Sequence, residues 1–294
     1  MNSKSILLLG SIALDTIETK YGSHNELLGG SATYAALSSS PFVKTDLVGI
    51  IGDDFPEEGR RILHEACNST VNLVIENGKT FRWGGKYHDN GDDRDTLFTE
   101  LGVFENFSPE LSKDNMSPDY VFLANIHPEL QLSVLNQCCN KPIIVTDTMN
   151  LWIDTAKPAL NKVLEQTDIL LINESEAFDI AGGKDLESIN KIHDLGPKII
   201  IVKYGSKGST VYHHNGESYS VGIIPIMNVI DPTGAGDSYG GGFVSALAQN
   251  LTIKEAMVRG TVMASFCIEN FGVKSIFNAD KELLNKRIEI LSKD

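Results

Sequence analysis

The residues best suited to chemistry lie in one run, Asp231-Pro232-Thr233-Gly234-Ala235-Gly236-Asp237, continued by Ser238-Tyr239-Gly240-Gly241-Gly242-Phe243. Pro232 and the small residues after it bring an extended segment into the start of a helix. Gly234, Ala235 and Gly236 have no bulk to cover their own backbone N–H groups. At a helix N-terminus such donors lack intrahelical partners and carry partial positive charge. They form a cradle for an anion, above all for a phosphoryl group whose charge spreads during transfer. Asp237 follows in the first turn, where a carboxylate can accept the proton of an attacking hydroxyl. A glycine turn with an acid placed on a helix dipole would carry the same letters. The run Gly240-Gly241-Gly242 argues for more, because each glycine inside a helix costs roughly 1 kcal/mol relative to alanine and needs a packing reason.

Other candidates stand just past apolar runs. Asp15 follows the run at residues 5–9, and a carboxylate can accept from two hydroxyls at once. Gly29-Gly30-Ser31-Ala32-Thr33-Tyr34 opens a helical pattern, and paired glycines let backbone approach a ligand; the same letters also read as a helix cap. Asn173-Glu174-Ser175-Glu176 has the spacing of a capping box as well as of a polar site. Lys203-Tyr204-Gly205-Ser206-Lys207-Gly208 reads as a tight turn with a cation at its entrance. Asn125 and Asp147 lie beyond two further apolar runs, where parallel sheets place their ligands.

These positions require a scaffold of alternating elements. Residues 5–9, 45–51, 120–124, 142–146, 168–172 and 198–202 are nearly continuous Ile, Leu and Val, as in strands covered on both faces. Helical patterns lie between them at about 31–40, 56–66, 128–139, 155–166 and 186–194, and later at 235–249, 253–269 and 280–291. The alternation predicts an open, mainly parallel α/β sheet with helices on both sides. Asn215-Gly216 between alternating segments predicts a two-residue hairpin over residues 209–221. Residues 80–100 interleave aromatics, charges and glycine pairs, and are read as short strands outside the main sheet.

Bulk properties narrow the partners. The chain has 294 residues, 41% hydrophobic and 22% charged, and fits one large domain, 1–294. A net charge of −14 argues against a nucleic-acid partner, since phosphate backbones need concentrated Lys and Arg. Cys67, Cys138, Cys139 and Cys267 form no C-x-x-C pair, which suits reduced thiols in the cytoplasm. No apolar run is long enough for a membrane span, and none near the N-terminus suits a signal peptide. Neither G-x-G-x-x-G after the first strand nor G-x-x-x-x-G-K-[ST] occurs, so dinucleotide oxidoreductases and Walker-type NTPases are set aside.

DPTGAGDSYGGGF resembles the C-terminal signature of the PfkB/ribokinase family, whose common form is D-T-x-G-A-G-D. The other stations resemble that family in order, from Asp15 to about Gly272. The resemblance implies a ribokinase-like three-layer α/β/α sandwich with a central, mainly parallel sheet and a small β lid from about 14–28 and 80–100. It implies Asp237 as base, with Gly234, Ala235 and Gly236 as anion hole. Asp15, Gly29, Gly30 and Ser31 would hold the acceptor, with Asn125 and Asp147 on the same side. Tyr34 stands where many members carry an Asn that touches sugar. Asn173 and Glu176 match a motif associated with magnesium and phosphate through bound water. Gly205 and Gly208 match a turn near the nucleotide, with Lys203 where relatives often have Thr.

Implied cofactors are ATP and Mg2+, with a monovalent cation near Asp231 and Thr233. Arg82, Trp83 and Tyr87 of the lid could close over a substrate, and a homodimer through the lid is common in relatives. The expected reaction moves the γ-phosphoryl of ATP to a hydroxyl of a small sugar. A nucleoside acceptor, or a non-catalytic sensor on the same fold, is the alternative.

Overall fold

The computed structural model describes residues 4–88, 94–183 and 186–293. Its strands are β1 (Ile6–Leu9), β2 (Ala13–Thr19), β3 (Gly22–Gly29), β4 (Asp46–Gly52), β5 (Ser69–Glu76), β6 (Arg82–Tyr87), β7 (Arg94–Glu100), β8 (Tyr120–Leu123), β9 (Ile143–Asp147), β10 (Ile169–Asn173), β11 (Ile199–Lys203), β12 (Ser209–His213) and β13 (Ser218–Val221). Among the described residues they sort into two sheets. One has nine strands in the order β13-β12-β11-β10-β9-β8-β1-β4-β5, and the other has four in the order β3-β2-β6-β7.

From β11 to β5 every neighbouring pair in the large sheet is parallel, and only β12 and β13 run antiparallel. The central strands are buried on both faces, as their unbroken apolar runs require. Ile6, Leu8, Leu47 and Phe122 face the layer formed by helices Ser31–Ser39, Ala235–Ala248 and Ile253–Cys267. Leu7, Leu9, Val48 and Val121 face the opposite layer, with helices Pro128–Leu135 and Lys157–Leu164. Each such side chain contributes about 1.5–3 kcal/mol on leaving water. The strand order reverses between β1 and β8. The crevice at the carboxyl ends of those two strands is where this class of sheet binds ligands.

The Gly240-Gly241-Gly242 run has the packing reason its cost calls for. A Cβ on Gly240 would stand 2.3 Å from the Phe122 ring, and one on Gly241 would stand 2.2 Å from the Ala35 carbonyl oxygen. On Gly242 it would meet the Arg259 carbonyl oxygen at 2.9 Å. The bare face lets helix Ala235–Ala248 press against the sheet and two neighbouring helices at once. That contact fixes where its N-terminus, and therefore Asp237, sits.

Several elements depart from the sequence reading. The helix expected over 155–166 is two, Asn150–Thr155 and Lys157–Leu164, because Pro158 has no N–H to continue one ladder and instead opens the second helix. The pattern at 186–194 becomes Leu186–Asn190 and a 3₁₀ turn, Lys191–Leu195. The helix expected over 128–139 stops at Leu135. Strand β5 and helix Glu174–Ala181 were not expected as elements. The hairpin over 209–221 forms as read, with Gly216 at φ +87°. The lid expected from 14–28 and 80–100 is the four-stranded sheet, of which residues 89–93 lie outside the described residues.

Helix propensity alone makes Gly241→Ala stabilising. The contact with the Ala35 carbonyl reverses that sign, and a loss of about 1–3 kcal/mol is expected in urea unfolding.

Candidate active site

Gly234 caps the helix Ala235–Ala248 in the left-handed region, at φ +74°. A Cβ there would lie 2.3 Å from the Tyr34 ring, so glycine is required on both counts. Among the described residues nothing accepts a hydrogen bond from the amides of Gly234 or Gly236. The Ala235 N–H donates to the Pro232 carbonyl at 3.2 Å, which corrects the expectation of three free donors. Asp237 sits one turn on, partly open to the cleft.

Asp237 is raised to about 7, first by burial and then by the Asp147 carboxylate, against the opposing pull of Lys203 and Arg94. Lys203 stands at the carboxyl end of β11, and its Nζ would lie 3.2 Å from a Cβ on Gly236. The same Nζ donates to Asp147 Oδ2 at 2.9 Å. Burial works against the Lys203 ammonium, yet Asp147 and Glu176 outweigh it and hold its pKa above the usual lysine value. Glu176 is raised to about 7 by burial and by Asp147. Its Oε2 accepts from the Asn173 amide at 2.8 Å and Asn173 Oδ1 accepts from the Glu176 amide at 2.9 Å, so the capping box is present. Capping takes one Glu176 oxygen and leaves the other beside Asp147 and Lys203.

Asp15 lies across the crevice on β2. It is 3% exposed, and a Cβ on Gly29 would stand 1.8 Å from its Oδ2. Burial, then the carboxylates of Asp231 and Asp237, raise Asp15 to about 8, against the Gly30 amide that bonds it. Gly30, at φ +89°, would set a Cβ 2.5 Å from the Ser11 carbonyl oxygen. Ser31 Oγ donates to the Asn125 carbonyl at 2.8 Å, joining this loop to the end of β8. Asn125 Oδ1 in turn accepts from the Trp152 indole at 2.9 Å.

Two expected lid and wall residues are placed elsewhere. Arg82 pairs with Asp54 at 2.8 Å and Glu26 at 3.3 Å and donates to the Thr80 carbonyl, so it fastens the base of the lid instead of entering the cleft. Tyr34 is 1% exposed, with its ring under Gly234, and its hydroxyl has no partner among the described residues. It fills the floor beneath Gly234. Gly205 and Gly208 take positive φ in a turn; a Cβ on Gly208 would stand 2.2 Å from the Val221 carbonyl oxygen.

The sequence reading missed Arg94. It is registered opposite Tyr87, whose hydroxyl accepts from Thr233 Oγ1 at 3.1 Å. Its guanidinium lies 5.5 Å from the centre of the Trp83 ring and bears on both Asp237 and Glu176. The lid therefore carries a cation over the acids of the cleft. Alternation along β7 could have flagged it only once the pairing of β6 with β7 was known.

The donor chemistry can be tested against the expected groups. The uncovered amides, Lys203 and the glycine surfaces fit a terminal phosphate. Asp147 and Glu176 offer hard carboxylate oxygens. No cluster of three or more metal-binding side chains occurs among the described residues. At the place expected for a monovalent cation, Asp231 accepts from the amides of Thr233 and Gly272 at 2.9 and 3.0 Å, and the Thr233 carbonyl accepts from the Cys267 thiol at 3.1 Å.

Fold and site together define a small-molecule kinase. The chain belongs to the PfkB family, matching the model described as pfkB family carbohydrate kinase over residues 4–280. It is 26% identical to the cytidine kinase of Thermococcus kodakarensis over 276 residues, covering 92% of this chain and 98% of that protein. It is also 26% identical to the nucleoside kinase of Methanocaldococcus jannaschii, over 84% of this chain and 81% of that protein. The crystal structure of the latter superposes with a TM-score of 0.78 at 21% identity, covering 99% and 100% of the two chains. Arabidopsis thaliana ribokinase complexed with ribose and ATP superposes at 0.76 and 21%, covering 98% and 99%. No described helix is long and apolar enough to cross a membrane.

A base must be ionised to work, and the Asp237 value lies above that of an ordinary carboxylate. The expected kcat/KM therefore falls as pH drops through about 7 and levels off above it, read from initial rates at limiting acceptor.

Proposed function

We propose that this PfkB-family kinase moves the γ-phosphoryl of ATP to a hydroxyl of a nucleoside. The observation that carries the reading is the convergence of Asp237, the open amides of Gly234 and Gly236, and Lys203 on one point, with the buried Asp15 across the crevice. What favours a nucleoside over a free sugar is that both relatives described above are nucleoside-type kinases aligned along most of the chain.

Asp15 binds hydroxyls of the acceptor, with Gly29 making room for its carboxylate and Gly30 for the Ser11 carbonyl beside it. Asp237 takes the proton as the hydroxyl oxygen attacks. Lys203, Arg94 and the helix amides offset the charge that spreads over the phosphoryl oxygens. The turn at Gly205 and Gly208, with Thr233, borders the nucleotide. Asn173 orients Glu176, and Glu176 with Asp147 would hold Mg2+, which would supply charge neutralisation for the phosphates. Four unpaired cysteines agree with a cytoplasmic protein. Strand β7 is exposed along its whole length, with Leu97 and Phe98 outward, and two copies would pair through that edge.

ADP release is measured with a panel of nucleosides, free sugars and sugar phosphates. Turnover is expected with nucleosides, and turnover with sugars alone would overturn the acceptor assignment. Asp237→Asn is expected to fold normally and to lose at least about 10³-fold in kcat. Near-normal rates in that variant would remove the base from the mechanism. Arg94→Ala is expected to lower kcat on the order of 10²-fold or more with a small change in the KM for ATP, and Arg94→Lys to recover part of the loss.

A further inference from the structure

We infer that Trp152 is the platform on which the acceptor's base rests, and so the residue that separates nucleosides from free sugars. The inference builds on the nucleoside reading above. Trp152 lies in the helix Asn150–Thr155, three residues past the Asp147–Met149 turn that ends β9. Its indole is tied to Asn125, just past the carboxyl end of β8, the strand at which the sheet order reverses beside β1.

An unbroken line of contacts joins it to the hydroxyl-binding acid. Asp15 packs on Gly29 and takes the Gly30 amide. Ser31 is next in sequence and donates to the Asn125 carbonyl, and the Asn125 amide oxygen accepts from the Trp152 indole. A ribose held at Asp15 would point its substituent along this wall.

The chemistry of the wall suits a flat heteroaromatic ring. Asn125 satisfies the indole N–H, so Trp152 is oriented by its polar edge and has only its π-face to offer. His127 stands edge-on at 4.9 Å and 68°, bracing the ring. Trp152 is partly exposed, as a ligand platform must be. The other tryptophan is already engaged. A Cβ on Gly85 would lie 2.1 Å from the Trp83 ring, so one face covers Gly85, and Arg94 approaches that ring as well. Stacking on a base gains affinity, whereas ribose alone has no π-face to stack.

The chain has two tryptophans, so Trp83→Phe leaves Trp152 as the sole indole reporter. In that full-length variant, cytidine is expected to quench the emission saturably and ribose to leave it unchanged. In the wild-type background, Trp152→Leu is expected to raise the KM for cytidine and inosine on the order of ten- to a hundredfold with kcat nearly constant. Trp152→Phe, which keeps a ring but loses the N–H donor, is expected to retain most of the affinity.

Nucleoside turnover with an unchanged KM in Trp152→Leu overturns this inference and leaves the nucleoside reading intact. Absence of ADP release from wild type with any nucleoside overturns both. Where Trp152→Leu loses its circular dichroism, the quenching titration decides, and no quenching by cytidine at concentrations that saturate turnover overturns the inference.

Discussion

Buried negative charge is the constraint to which the rest of the structure answers. Asp15, Asp147, Glu176, Asp231 and Asp237 crowd one crevice, all but Asp237 less than a tenth exposed. Mutual repulsion and burial push Asp15 to about 8 and Glu176 and Asp237 to about 7. One buried lysine, Lys203, one lid arginine and a helix N-terminus stand against them. Such a site resists ionisation until charge arrives to balance it. Burial and crowding together raise the Asp237 carboxyl to about 7, the range the proposed general base requires.

Glycine is the means by which these groups come close enough to interact. Gly29 admits the Asp15 carboxylate and Gly234 the Tyr34 ring at distances no Cβ tolerates, and Gly236 leaves the Lys203 ammonium 3.2 Å from where a Cβ would stand. Gly240, Gly241 and Gly242 do the same for whole helices. The helical glycines each weaken the helix locally by roughly 1 kcal/mol. Close approach of Phe122, Ala35 and Arg259 offsets this by dispersion and burial, and locks the helix whose first turn carries Asp237. A rigid helix with a backbone-lined N-terminus is a better preorganised anion site than flexible side chains would be.

Much of this was legible in the sequence, for identifiable reasons. The six central strands were readable because a sheet covered on both faces needs unbroken Ile, Leu and Val. The run from Asp231 to Asp237 was readable because a helix start, small residues and an acid have few joint uses. Strand β5 escaped because it is an edge, with Val71 and Ile75 exposed and Asn72 turned inward. Arg82 and Arg94 were exchanged because a lid strand's inner face follows from its register, which alternation alone does not give. The same limit hid Trp152, since its role depends on Asn125, 27 positions away in the chain. Asn173 and Glu176 are a cap by geometry, so letters that fit two readings turned out to serve the structural one whatever else they do.

The lid ties the two halves of the site together through one register. Pairing β2 with β6 sets Asp15 beside Trp83, and pairing β6 with β7 sets Tyr87 beside Arg94. On the inner face of β6, Trp83, Gly85 and Tyr87 follow at spacings of two, the period of a strand. Tyr87 then bonds Thr233, at the entrance to the anion cradle. A slip of one residue between β2 and β6 would turn Asp15 or the Tyr87 hydroxyl to the solvent face, breaking either the acceptor site or the link to the cradle. On the proposed reading, acceptor binding at Asp15 and phosphoryl binding at Gly234 and Gly236 would both bear on this small sheet, one through β2 and the other through the Tyr87–Thr233 bond. A ligand that settled either end would then favour the register and position the other end requires.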